Sequence, residues 1–134
     1  MVLNWLKKRI RCTNSINLTD EVLNICKSYN VLISTSLDGP SWLHNKNRGK
    51  ADSYERVVKG IDKARSVLGH AQVAALMTTS ELALDYPEDI VDEYVNLSFS
   101  SIFLRALNPY GLASENSNWD TYTARFIAFY KQAF

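Results

Sequence analysis

The chain has 134 residues, 46% of them hydrophobic and 22% charged, with a formal net charge of +1. That length suits one modest domain of ordinary globular composition. So small a net charge gives no footing on nucleic acid or an anionic membrane surface, and no apolar run approaches the roughly 20 residues of a bilayer span.

The opening MVLNWLKKRIR has too short an apolar region before its basic cluster to serve as a signal peptide, so a cytoplasmic location follows by default. Asn4 to Lys8 reads as the tail of a helix, with Lys7 and Lys8 suited to its C-terminus. A first short strand is expected at about 10–14, ending in Cys12-Thr13-Asn14. Thr19 is placed to cap a helix whose first turn holds Asp20 and Glu21, and whose stripe is Val22, Leu23, Ile25 and Cys26. The second strand is expected at 31–37. Its apolar Val31-Leu32-Ile33 passes into the hydroxyls Ser34, Thr35 and Ser36 and stops at Asp38-Gly39-Pro40. Beyond it, Trp42 to Arg48 supplies ligand-type side chains, His44 among them, and Lys46 to Asp52 is expected to be a polar loop.

Asp52 or Ser53 caps a helix from Tyr54 to Leu68, with Val57, Val58, Ile61, Ala64, Arg65 and Leu68 at helical spacing and Gly69 as terminator. A third strand follows at about 72–78 and runs into Thr79 and Ser80. Pro87 opens a helix to about Leu97, with Ile90, Val91, Tyr94 and Val95 as its stripe. A fourth strand at 101–107 ends before Asn108-Pro109-Tyr110-Gly111, and Ser117 or Asn118 caps a last helix reaching Phe134. Its aromatics Tyr122, Phe126, Phe129 and Tyr130 form a core stripe.

The order β-α-β-α-β-α-β-α, with short apolar strands and long connections, predicts an α/β fold with a parallel sheet and right-handed crossovers. No glycine-rich phosphate loop follows any strand, which argues against a dinucleotide fold. A segment of a (β/α) barrel fits better, with the polar strand ends sharing one rim. Strands also turn polar simply where they meet solvent, and composition alone does not separate the two readings. Arg105 is unusual in an apolar strand, since a charge there is costly unless paired. It has three outlets: Asp38, a ligand, or solvent.

Several motifs carry a resemblance. Ile33 and Ser36-Leu37-Asp38-Gly39-Pro40 are followed by His44-Asn45-Lys46-Asn47-Arg48 and by Tyr54-Glu55-Arg56-Val57-Val58-Lys59-Gly60-Ile61. Val73 to Ser80, Ile90 to Val95 and Ser101 to Gly111 continue the match. As an ordered set, from about Cys12 to the C-terminus, they resemble the radical S-adenosylmethionine (SAM) enzymes of the anaerobic sulfatase-maturase and peptide-maturase group. Within it they are most similar to the maturase of the His-Xaa-Ser peptide system. The resemblance implies a (βα)4 segment of a partial TIM-type (β/α)6 barrel. It implies SAM as cofactor and a peptide or protein as substrate. It carries SAM contacts onto Ser36 and Arg48 and places Thr13 and Asn14 beside the SAM pocket. Asp38 joins the same rim. Leu107 lies where the last strand approaches the adenine; its alternative is plain core. Cys12 stands where the relatives often have Gln. His44 is assigned to ordering the loop.

The family holds a [4Fe–4S] cluster on a Cys-x-x-x-Cys-x-x-Cys motif, with SAM on the fourth iron. This sequence has only Cys12 and Cys26, at a spacing that fits no common metal motif, and no metal site is expected on it. The expectation is a fragment of a maturase that carries part of the SAM rim and is inactive alone, with enzyme status left open. The alternative is a non-catalytic half-barrel that needs a partner chain. Either way the sheet edges and its inner face, drawn from Val31 to Leu37, Val73 to Met77 and Ile102 to Leu104, lack cover. Self-association, or completion by an N-terminal barrel segment, is the expected remedy.

Overall fold

A computed structural model describes residues 9–108 and 118–134. The expected helix tail at Asn4 to Lys8, the Pro109-Tyr110-Gly111 turn and the Ser117 cap lie outside them. Strands β1 (Arg9–Thr13), β2 (Val31–Ser36), β3 (Val73–Thr79) and β4 (Phe103–Ala106) form one sheet in the order β1-β2-β3-β4, every pair parallel. Helices α1 (Asp20–Ser28), α2 (Ser41–Arg48), α3 (Ser53–Leu68), α4 (Pro87–Asn96) and α5 (Trp119–Ala133) connect and follow them. Two short 3₁₀ turns, His70–Gln72 and Leu82–Asp85, flank β3. Strands laid down in sequence order by crossovers of one hand carry all their helices on one side.

The sheet's two faces follow from its register. Ile33, Thr35, Val73, Ala75, Met77, Thr79 and Leu104 are buried under the helices. On the opposite side the register aligns Ile10, Cys12, Leu32, Ser34, Ser36, Ala74, Leu76, Thr78, Phe103 and Arg105. The expectation of an uncovered apolar inner face needs correction. Half of the apolar residues of β2 and β3, namely Ile33, Val73, Ala75 and Met77, are already buried, and the open side is mostly small or polar. Its exposed large side chains are Ile10 and Phe103 on the two edge strands.

Helix starts and stops follow their local chemistry. The Thr19 side chain accepts from the Val22 N–H, and the Asn118 side chain accepts from the Thr121 N–H. Pro87 occupies the first turn of α4. Asp52 stands at the N-cap of α3, its carbonyl accepting from the Arg56 N–H, but it makes no side-chain cap bond, and the Ser53 hydroxyl turns to His44. Stripe edges are wetter than periodicity suggests, with Ile25, Val95 and Tyr130 exposed. In α5 only Tyr122 and Phe129 are fully enclosed.

The largest correction falls on the stretch after β2. Ser41 to Arg48 is a helix, not a loop. Pro40, with φ −61°, sits at its N-cap, and Gly49 ends it in the left-handed conformation at φ 66°, which glycine adopts without a Cβ clash. The polar composition of the segment hid a helix two turns long. Gly60 has a different reason to be small. A Cβ there would lie 2.1 Å from the Ser15 carbonyl oxygen, so glycine lets α3 slide beneath the turn that follows β1.

Candidate functional site

The C-terminal ends of the strands meet around an ion pair whose carboxylate is buried. Asp38 leaves β2 and is almost fully enclosed, 2% exposed. Helix α2 turns the chain back over it, so that Arg48 approaches from ten residues downstream. Its Nε donates to Asp38 Oδ2 at 2.7 Å and its Nη2 to Oδ1 at 2.9 Å, a two-pronged contact. The Arg48 side chain is 37% exposed, which leaves it reachable from solvent. Its third nitrogen, Nη1, has no partner among the described residues.

His44 locks the carboxylate's backbone. The Asp38 N–H donates to His44 Nδ1 at 3.2 Å, and His44 Nε2 lies 3.2 Å from the Ser53 hydroxyl. A ring nitrogen that accepts an N–H carries no proton, so the proton sits on Nε2 and Ser53 accepts it. Burial of the ring pushes the His44 pKa down; the Asp38 carboxylate opposes that and Arg48 reinforces it. The expected loop-ordering role of His44 therefore takes a definite form, exercised from inside a helix. Asn45 fixes the next turn: its Oδ1 accepts from the Tyr54 N–H at 2.7 Å and its Nδ2 donates to the Ala51 carbonyl at 2.6 Å.

Two tyrosines tie the strand ends from the helical side. The Tyr94 hydroxyl donates to the Leu37 carbonyl at 2.5 Å, and burial raises its pKa, keeping it protonated. The Tyr122 hydroxyl donates to the Thr79 carbonyl at 2.6 Å and accepts from the Leu107 N–H at 2.8 Å, bridging β3 to the end of β4. Periodicity placed both rings in the core, but it says nothing about where a hydroxyl points. A further clasp joins α3 to α4, where Tyr54 donates to Glu93.

Two clefts flank Arg48. One, of about 170 Å³, is lined by Asn14, Ser36, His44, Arg48 and Lys50 among others. The other, of about 260 Å³, is lined by Asp38, Asn47, Arg48, Thr78, Ser80 and Leu107. Five of the six residues singled out from sequence thus line this rim. Thr13 does not: its hydroxyl accepts from the Ser15 N–H and serves the turn after β1. Asn14 Oδ1 makes a similar bond to the Ile16 N–H. Among the described residues no hydrogen bond occupies the Ser36 hydroxyl. Asn47, which accepts from Ser80 at 3.0 Å, was within the expected loop but not singled out. A helical α2 is the signal that would have found it. Arg105 does not meet Asp38; its Nη2 donates to Thr78 Oγ1 at 2.8 Å.

The thiols are far less concentrated. Cys12 is exposed on β1, and Cys26 is buried in α1, where it lines a crevice with Asn30, Val31 and Gln72 at the other end of the sheet. Among the described residues no three His, Cys, Asp or Glu side chains are grouped to hold a metal ion. Nor is any described helix long and apolar enough to cross a membrane.

No protein-family model matches the chain. An uncharacterized protein of Synechocystis sp. is 27% identical over 110 residues, which span 78% of this chain and 27% of that protein. Among solved structures, native anSMEcpe with bound AdoMet (SAM), an anaerobic sulfatase-maturating radical SAM enzyme, matches 95% of this chain with a TM-score of 0.72 and 16% identity. The same protein with bound AdoMet and the Kp18Cys peptide matches 90% of this chain, with a TM-score of 0.66 and 15% identity. The chain spans 35% and 34% of those two structures. The likeness shows the fold: a four-strand parallel α/β segment that those structures share.

Proposed function

We propose that this chain supplies the SAM-binding rim of a radical SAM peptide or protein maturase. The observation that carries the reading is the Asp38–Arg48 pair standing between two clefts at the C-terminal ends of parallel strands, where ligands of such sheets bind. Neighbours of the same fold that bind AdoMet, one of them with a peptide, support it.

The residues fit SAM in kind. Ser36 offers an unengaged hydroxyl and Arg48 a cation for a carboxylate. Because Asp38 takes two nitrogens of the guanidinium, Arg48 meets the ligand through Nη1 and is held in place by Asp38, which acts as a positioning residue. Asn14 borders the same cleft, Thr13 shapes the turn beneath it, and the backbone of Leu107, anchored by Tyr122, faces the adenine. In the family these motifs resemble, SAM bound to a reduced cluster is the source of a 5′-deoxyadenosyl radical. The cluster does not fit this chain, whose two thiols lie on different elements and fall short of three ligands. Hydrogen abstraction therefore requires cluster ligands from outside these 134 residues, and alone the chain is inactive. Reduced thiols at Cys12 and Cys26 suit the cytoplasm.

Calorimetric titration with SAM tests the rim. A charged hydrogen bond contributes roughly 1.5–3 kcal/mol, so Arg48→Ala should weaken binding about tenfold or more. Ser36→Ala, which leaves the ion pair intact, should weaken it by a smaller factor. Equal affinity in wild type and both variants would reject the assignment.

A second reading, a half-barrel assembly module, is favoured by the exposed Ile10 (64%) and Phe103 (62%) on the two edge strands, which have no further strand partner among the described residues. Sedimentation at micromolar concentration distinguishes it. Self-association is expected of such a module, and a compact monomer would set it aside.

A further inference from the structure

Arg105 is the one charged side chain that the described strands place on the open side of the sheet. Its neighbours there offer no opposite charge. Among the described residues no carboxylate lies within salt-bridge distance, and its Nη2 rests on the hydroxyl of Thr78, its register partner, at 2.8 Å. Thr78 in turn lines the 260 Å³ cleft with Arg48 and Asp38. Arg48 is paired with Asp38, so beyond the cleft lining, through Thr78, Arg105 adds a cation with no carboxylate of its own among the described residues. Just below it on the same face stand Leu76 and Phe103, themselves register partners, with Phe103 62% exposed.

A guanidinium held at one nitrogen and open at the others is suited to a carboxylate, which it can grip with two parallel hydrogen bonds. The exposed Phe103, with the half-buried Leu76 beside it, suits a bulky neighbouring side chain. We infer that Arg105, steadied by Thr78, is the specificity element for an acidic peptide: it takes an Asp or Glu side chain while Phe103 and Leu76 take the adjacent apolar residue. This rests on the reading of the chain as part of a peptide maturase and adds the substrate class to it. Arg105 is a binding residue here, and it performs no chemical step.

The test compares two fluorescein-labelled hexapeptides, one with a central Asp-Leu and one with Asn-Leu, by fluorescence anisotropy on the full 134-residue chain. Wild type should prefer the acidic peptide by about tenfold at low salt, as expected for a charge-assisted hydrogen bond. Arg105→Gln should abolish the preference, and Arg105→Lys, which keeps the charge but not the fork, should retain only part of it. Arg105 is exposed and makes a single hydrogen bond, so both variants should fold. Equal binding of the two peptides by wild type, or an undiminished preference in Arg105→Gln, would overturn the inference. SAM titration of the wild-type chain is a separate arm. Its failure would remove the SAM reading while the peptide preference stood.

Discussion

The two ends of the sheet are built to different standards. At the C-terminal end, an enclosed carboxylate, a neutral buried imidazole and two tyrosine hydroxyls each satisfy a named backbone or side-chain partner. At the N-terminal end the polar contacts are fewer: Gln72 Nε2 donates to Asn30 Oδ1 at 2.9 Å, and Arg65 Nη1 donates to the Leu97 carbonyl at 2.7 Å. Buried polar groups are stable only when paired, and each pair demands matched geometry. One end therefore gathers a buried carboxylate, an imidazole and two tyrosine hydroxyls around fixed positions, while the other holds only the Gln72 and Arg65 contacts. That contrast is what a binding rim on a rigid scaffold requires, and it is independent of what binds.

Substitutions can break the contrast, and urea unfolding ranks them. Gly60→Ala should cost most, about 3 kcal/mol, because the new Cβ meets the Ser15 carbonyl and the turn after β1 must shift. Tyr94→Phe should follow at about 1–3 kcal/mol, leaving the Leu37 carbonyl buried without its donor. Gln72→Ala, at the opposite end, should stay within about 0.5 kcal/mol. If Gln72→Ala cost as much as Tyr94→Phe, the two ends would not differ as described.

Acid sharpens the same comparison. The native fold holds His44 neutral, with a pKa below its ordinary value of about 6.5, whereas the unfolded chain protonates near 6.5. The native state thus binds fewer protons. The stability this confers is complete above about pH 6.5 and is lost as pH falls through the lowered native value. His44→Gln should flatten the dependence of unfolding free energy on pH between about 7.5 and 5. The other histidine, His70, is exposed and common to both proteins. An unchanged slope in His44→Gln would show that the imidazole is not what the rim holds neutral.

Much of the scaffold was legible because it depends on runs and periods. Val31 to Ile33 and Val73 to Met77 announce buried strands, Thr19 and Asn118 announce helix starts, and Gly69 marks the end of α3. What escaped depends on three dimensions. Segment 41–48 reads as a loop because Asn45, Lys46 and Asn47 are polar, yet Pro40 and Gly49 bound a helix. Once it is helical, Arg48 returns to Asp38 and Asn47 meets Ser80. Without it the guanidinium looks free on all sides, whereas Asp38 receives two of its hydrogen bonds. The open face looked apolar because an unbroken hydrophobic run conceals its period of two; register shows that helices already cover Ile33, Ala75 and Met77.

The most direct test of the rim is to map it with SAM. Two-dimensional amide NMR of the isotopically labelled chain, titrated with SAM alone, reports every described backbone N–H at once. The expected shifts fall on Asn14, Ser36 to Asp38, Arg48 and Leu107, with Asn30 and Gln72 unmoved. Shifts at Asn30 and Gln72 instead, or none at the C-terminal rim at saturating SAM, would contradict it.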